Sequence, residues 1–230
     1  MKAKNLWIVL GVFMFSGLVF NACQEPESSA SVDQDRIYVI YELFYNQNTD
    51  ITKARATFRF GNVIGTPLYL ATGSEVSCDG QLMSKILDVF TIYEVEFAGK
   101  KDSASFKWID TDAKEFANKV YMTEIAYVDT IDEIPNDAAF EFFWDGDALA
   151  DGENVALLID AVGNASQLFG ETKTGSTSII LEKTKLEKLP EGQATLFFDK
   201  KHEIDLQEAT SAGGTIFSKY RPTNKTVEIL

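Results

Sequence analysis

The sequence predicts an all-β fold of antiparallel β-sandwich units set in tandem. Three observations carry that prediction. From Arg36 to Leu230 apolar residues recur at period two, with little at helical spacing. Turn signals punctuate these runs about every 8 to 12 residues, the spacing of short antiparallel strands rather than of βαβ units. One stretch, Asp129 to Asp137 (DTIDEIPND), is polar, acidic and Pro-containing, and the alternation restarts after it.

In the first half, Ile37, Val39, Tyr41 and Leu43 share one face of an opening strand. Ala54, Ala56, Phe58 and Phe60 alternate with Lys53, Arg55, Thr57 and Arg59 in a half-buried strand that Gly61 to Pro67 turns. Leu68 with Leu70, then Val76 with Cys78, make two short strands; Asp79-Gly80 ends the second, a pair suited to a two-residue hairpin. Val89, Thr91, Tyr93, Val95 and Phe97 form the next strand, and Gly99 to Ser103 the next turn. Ala104, Phe106 and Trp108 face inward, Asp110 to Lys114 turns, and Phe116, Asn118 and Val120 run back.

In the second half, Phe140, Phe142 and Trp144 lead to an Asp145-Gly146 turn, and Val155, Leu157 and Ile159 form the following strand. Gly163 to Ser176, with its Gly, Ser and Thr, reads as a loop. Ser178 to Glu182, Gln193 to Phe198, Gly214 to Tyr220 and Thr226 to Leu230 supply the remaining strands. Each half is close to the roughly 100 residues of an immunoglobulin-like sandwich. The expected units are therefore two immunoglobulin-like β-sandwich domains, 36–128 and 138–230, with 129–137 as linker. The only cysteines are Cys23 and Cys78, so neither half has the pair that a core disulfide needs.

The first 22 residues decide where such a protein would reside. Lys2 and Lys4 precede an uncharged apolar run from Leu6 to Phe20 that ends at small Ala22 and Cys23, the layout of a secretory signal peptide. The run is shorter than the roughly 20 residues of a membrane-spanning helix and is followed by acidic sequence rather than by a positive stop-transfer segment. Ala22-Cys23 resembles the lipobox of bacterial lipoproteins, although Phe20 and Asn21 are bulkier or more polar than that family's usual residues. The resemblance implies a lipidated Cys23 as mature N-terminus and an outer-membrane anchor; an ordinary secretory cleavage beside an incidental Cys is the alternative. Residues 23–35 then read as an acidic, flexible tether, since QEPESSASVDQD carries Glu25, Glu27, Asp33 and Asp35, no base, and no large apolar residue beyond Val32. Early acids of this kind resemble the surface-export signal of Bacteroidetes lipoproteins, leaving the cell surface and the periplasmic face both open.

Composition narrows the partners. The chain has 21 bases and 35 acids; without residues 1–22 it keeps 19 bases against 35 acids, a formal charge of −16. Such a surface repels nucleic-acid phosphates, so no nucleic-acid partner is expected, and the membrane would be met through the anchor. ARATFRFGNVIGTPLYLATGSEVSCDGQLM, FKWIDTDAKEFAN, FFWDGDALADGENVALLID and LQEATSAGGTIFSKY are similar to successive segments of uncharacterised bacterial lipoproteins with two β-sandwich domains. That resemblance implies fold and address, and no activity.

Catalytic chemistry finds little to stand on. The only histidine, His202, sits in a charged run (Lys200, Lys201, Glu203), so no Ser-His-Asp or Cys-His site is expected. One His and one inward Cys78 do not make a zinc site. Asp110-Thr111-Asp112-Ala113-Lys114 fails as a calcium loop because Lys114 stands at the third ligand position. No cofactor or metal is expected. Trp108 and Trp144 are in phase with phenylalanine faces and read as core; Tyr38, Phe44, Phe143 and Phe197 are out of phase and are the aromatics available to a ligand. Asp102-Ser103-Ala104 and Asp129-Thr130-Ile131 resemble the O-glycosylation motif of Bacteroidetes envelope proteins, making Ser103 and Thr130 candidate modification sites. Two functions remain: a non-enzymatic binding or structural module with a glycan or protein partner, or a carbohydrate-active accessory protein or glycoside hydrolase working through paired carboxylates.

Overall fold

The computed structural model describes residues 25–87 and 91–230, and the fold is all-β with a sandwich arrangement of several sheets. The alternation in Ile37–Asn46 and Ile51–Phe60 yields two ten-residue strands paired along their whole length, from Ile37 opposite Phe60 to Asn46 opposite Ile51. They belong to a twelve-stranded sheet. Its main order is Glu27–Ser28, Pro67–Tyr69, Ile51–Phe60, Ile37–Asn46, Gly214–Arg221, Gly192–Ile204, Glu153–Ala161 and Ala165–Glu171. Strands Ser84–Leu87 and Ile92–Ala98 extend it beside Ile51–Phe60, and Lys225–Ile229 with Glu133–Ile134 extend it beside Gly192–Ile204.

Two small sheets cover one face of this long one. Glu115–Tyr121, Ser103–Ile109, Glu75–Cys78 and Gln81–Leu82 form the first, with Asp79 and Gly80 both at positive φ in the tight turn that the sequence predicts. Tyr41 of the long sheet stacks on Phe106 at 4.8 Å between centroids, and Trp108 lies between Phe58 (5.1 Å) and Phe116 (4.8 Å). Trp108 is fully buried, with its indole N–H donated to Ser74 Oγ at 3.1 Å. The second small sheet, Ala126–Tyr127, Phe140–Asp145 and Ser178–Leu181, places Phe142 edge-on to Phe198 at 5.4 Å and Trp144 against the same ring. Both tryptophans are core residues, as their phase predicts, and Leu157 is fully buried too.

Several segments differ from the expectation, each for a visible reason. Gly214–Arg221, expected in the second unit, pairs in parallel with Ile37–Asn46 of the first, and its Ile216 is buried in the first core. Tyr45 in turn belongs to the second core. One continuous sheet thus backs both cores. Residues 27–36 do not hang free as a tether: Glu27–Ser28 pairs with Leu68–Tyr69, Ser29 is buried and accepts from Ala71 N at 2.9 Å, and Gln34 donates to Ser29 O at 2.7 Å. Small and amide side chains here satisfy backbone groups, a contribution that a hydrophobicity count does not register. The 129–137 stretch is anchored by buried Ile131 and Ile134 and by parallel pairing of Glu133–Ile134 with Lys225–Ile229. Within Gly163 to Ser176, Ala165–Glu171 is an edge strand paired with Glu153–Ala161, its alternation masked by Gln167 and Gly170.

Candidate functional site

Burying one face of the long sheet leaves the other for solvent, and strand phase decides what it shows. Phe44 on Ile37–Asn46, Phe217, Lys219 and Arg221 on Gly214–Arg221, and Phe197, Asp199 and Lys201 on Gly192–Ile204 all point outward. Register brings them together: Lys219 is opposite Phe44 and next to Lys201 across the following strand. Lys219 Nζ lies 4.2 Å from the Phe44 ring centre, and Lys201 Nζ lies 4.3 Å from that of Phe217. The Arg221 guanidinium sits between two rings, 5.6 Å from Phe44 and 5.7 Å from Phe197. Such contacts are worth roughly 0.5–1 kcal/mol each at exposed sites and keep the rings half-covered rather than buried.

Arg221 is fixed by Asp199 through a two-pronged ion pair, Nε to Oδ1 and Nη2 to Oδ2, both at 2.6 Å. The Asp199 hydrogen bonds, opposed by partial burial, raise the guanidinium pKa above its ordinary value. Below this fork, Ala156, Leu158, Leu168, Phe197, Asp199 and Arg221 enclose a shallow recess of about 350 Å³. Leu158 stands opposite both Phe197 and Leu168 in the ladder, so the recess floor is one cross-strand row. Leu168, on the edge strand, is 60% exposed, unusual for a leucine at the centre of a strand.

Of the out-of-phase aromatics predicted from sequence, Phe44 and Phe197 meet here. Tyr38 shares the face but stands opposite Arg59, three outward positions from Phe44. Phe143 is elsewhere, on the second small sheet, where with Phe140, Ile131, Thr130 and Glu141 it lines a separate recess of about 510 Å³. Phe217 is the residue that the sequence reading missed. Its strand carries Ser218 on the inward side, which blurs the alternation that would have marked Phe217 as outward. Thr130 is exposed, and Ser103 is half-buried at the start of Ser103–Ile109, opposite Tyr121. Cys23 lies outside the described residues.

A third and larger recess, about 660 Å³, is acidic, lined by Asp151, Glu153, Glu203 and Asp205 among others. Two of these four carboxylates are ion-paired: Glu153 Oε2 lies 3.0 Å from Lys200 Nζ, and Glu203 Oε2 lies 2.6 Å from Lys201 Nζ. Burial pushes the Glu153 pKa upward, but the Ala150 N–H and Lys200 outweigh it and hold the carboxyl below the usual range, the reverse of what a general acid needs. Glu153, His202 and Ser218 occupy one row across three adjacent strands. The row is not joined as a hydrogen-bonded triad: Ser218 is buried, and neither its Oγ nor His202 Nδ1 has a hydrogen-bond partner. Among the described residues, no group of three or more His, Cys, Asp or Glu is placed to hold a metal ion, and no helix is long and apolar enough to cross a membrane.

No protein-family model matches the chain, and no curated protein matches it in sequence. Among solved structures it is similar to the Yersinia pseudotuberculosis adhesin InvE at 12% identity and TM-score 0.23, over 86% of this chain and 59% of that one. It is also similar to the Bacteroides ovatus mixed-linkage glucan utilization locus protein SGBP-B, solved with a mixed-linkage heptasaccharide, at 12% identity and TM-score 0.24, over 86% and 61%. A tetra-tandem repeat in the extending region of a large adhesion protein matches at 14% identity and TM-score 0.23, over 83% and 49%. The chain thus spans about half to three fifths of the structures it matches. Superpositions this loose bear on neither ligand nor mechanism.

Proposed function

We propose that this chain is a lipid-anchored protein of the cell envelope that acts as a non-enzymatic binding module, taking a neutral glycan chain on the outer face of its long sheet. The observation that carries the reading is the outward cluster of Phe44, Phe217 and Phe197 with Lys219, Lys201 and Arg221 against their rings, beside the recess floored by Leu158, Leu168 and Phe197. Sugar rings present apolar C–H faces and a rim of hydroxyls. Half-covered rings and leucines suit the faces, and the Asp199–Arg221 fork offers acceptor and donor atoms to the rim. The recess is shallow and open, which favours a polymer passing across it over an enclosed small molecule.

The address rests on the Leu6 to Phe20 apolar run and Ala22-Cys23, which support lipidation of Cys23 and an outer-membrane position. A hydrolytic role draws no support from the acidic recess, where Glu153 is ion-paired and its pKa lowered. Native gels containing soluble neutral polysaccharides (β-glucans, xylans, mannans) test the binding role. Retardation of the wild type by one of them, lost in Phe197→Ala and Arg221→Ala, is expected. Equal mobility of wild type and both variants in every gel would overturn it.

A further inference from the structure

The end of the sheet where the N-terminal segment enters carries an apolar tip. Strands Ile51–Phe60 and Pro67–Tyr69 are joined by Gly61 to Thr66, and at the turn Val63 is 52% and Ile64 83% exposed. Nothing in the turn requires large apolar residues, because its conformation is set by Asn62, which accepts from Ile64 N, and by Gly65, which donates to Asn62 O. A β-branched pair at an exposed tip is the opposite of ordinary turn chemistry.

What surrounds the tip is equally specific. Arg36 lies over the Phe60 ring at 4.5 Å, Arg59 donates to Gly65 O at 3.1 Å, and Lys85 lies over the partly exposed Tyr69 ring at 5.7 Å. In a protein of net charge −14, two arginines and the Phe60 ring stand at the root of this turn, with the pair of Lys85 and Tyr69 further along the strands. Apolar tip, aromatic rings and long cationic side chains, in that order, match the depth profile of a bilayer interface.

The parallel register brings Glu27, four residues after Cys23 in the chain, to the strand that leads out of this turn. Glu27 pairs with Leu68 and Ser28 with Tyr69, so the chain followed backwards from Glu27 runs in the same direction as the chain followed backwards from Leu68. Four residues before Leu68 is Ile64; four residues before Glu27 is Cys23. Four residues reach at most about 14 Å. A lipid on Cys23 therefore brings the bilayer surface to the same end of the sheet as the Val63-Ile64 tip.

We infer that Val63 and Ile64 form a membrane-contact tip that inserts into the lipid interface beside the anchor and holds the sheet upright on the bilayer. The inference rests on the anchor reading proposed above. The chain as a whole is strongly acidic, so the contact is one of apolar insertion rather than attraction to anionic lipid. The strand ladder then places the Asn46 to Asp50 and Val162 to Asn164 turns at the opposite, outward end.

The test uses the full lipidated chain carrying Ile64→Cys or, as control, Val162→Cys, each labelled with an environment-sensitive fluorophore and reconstituted in phosphatidylethanolamine/phosphatidylglycerol vesicles. Cys78 does not compete for label, being buried with its thiol pushed up to about 12 by that burial. The label at 64 should be blue-shifted and quenched by bilayer-resident doxyl lipid, and the label at 162 should be neither. Protein that floats with vesicles while both labels remain in water overturns the tip and leaves the anchor standing. Protein that fails to float overturns the anchor and the tip with it.

Discussion

Lys200 Nζ lies 3.0 Å from Glu153 Oε2, with both side chains almost wholly buried at the seam between the two hydrophobic cores. Glu153 also accepts from Ala150 N at 2.9 Å, so the carboxylate has two partners inside the protein. The seam is where the long sheet passes from one covering sheet to the other, and a polar pair occupies what neither core fills.

Removing one member of this pair leaves a buried charge unmatched. Glu153→Gln or Lys200→Met should each lower unfolding free energy by about 3–5 kcal/mol, whereas Glu153→Leu with Lys200→Met should recover most of the loss. Urea titration of the four proteins checks this, and additive losses in the double variant would contradict it. Because the folded pKa of Glu153 is depressed, its contribution is present above the unfolded value of 4.5 and is lost as pH falls through the folded pKa. Stability should therefore decline below about pH 4.5 more steeply in wild type than in the double variant.

Tyr41 offers a substitution of opposite sign. Its ring is fully buried and stacked on Phe106, but its hydroxyl has no hydrogen-bond partner, and burial raises its pKa far above the ordinary tyrosine value. Tyr41→Phe keeps the stack and removes the unmatched polar group, a gain of about 1–3 kcal/mol. A rise in thermal midpoint is expected; a fall would indicate that the hydroxyl is satisfied by an ordered water.

The strands are legible in the sequence wherever an unbroken run of apolar residues holds every second position. Ile37–Asn46, Ile51–Phe60 and Ser103–Ile109 alternate as written, because each covers a core on one side and meets water on the other. Ala165–Glu171 resembles a loop in sequence because an edge strand with Leu168 outward and Gln167 inward inverts the expected pattern. The joining of both halves through Gly214–Arg221 was not legible at all. Periodicity reports which face is buried, and it is silent on which partner a strand chooses. The candidate site was half-visible for the same reason: Phe44 and Phe197 were out of phase in sequence, but only the ladder brings Arg221 between them.

The two hydroxyls in acid-hydroxyl-apolar triplets differ in access. Thr130 is exposed at the rim of the Phe140 and Phe143 recess, whereas Ser103 is half-buried within a strand register. If host cells glycosylate the chain, Thr130→Ala should remove most of the added mass and Ser103→Ala little of it. Intact-mass spectrometry of protein from its native host reads both, and a wild type carrying only peptide and lipid mass would end the idea.

Lipidation at Cys23 has a direct test in metabolic labelling with a palmitate analogue. Wild type should take up label and Cys23→Ser should not. Label that persists in Cys23→Ser would place the acyl chain elsewhere, and a wild type that takes up none would mean that the cleavage is an ordinary secretory one.

Gly214 sits where the C-terminal half of the chain joins the N-terminal strand, opposite Val39. A Cβ added there would run into the Val39 carbonyl oxygen and come within 2.5 Å of a Leu206 methyl. The carbonyl belongs to backbone inside a fully paired strand, so the clash is relieved by drawing Gly214–Arg221 away from Ile37–Asn46, the one ladder among the described residues that joins the two halves of the long sheet. Overpacking of this kind costs about 1–3 kcal/mol, occasionally more. Gly170→Ala is a graded control, since its Cβ would meet only Val155 O, at 3.0 Å and on an edge strand. Denaturant midpoints should fall in the order wild type, Gly170→Ala, Gly214→Ala. The Gly214 variant should also lose a single cooperative transition, because its two cores would no longer share a continuous backing. A Gly214→Ala protein that unfolds in one step at the wild-type midpoint would mean that the join is looser than this packing requires.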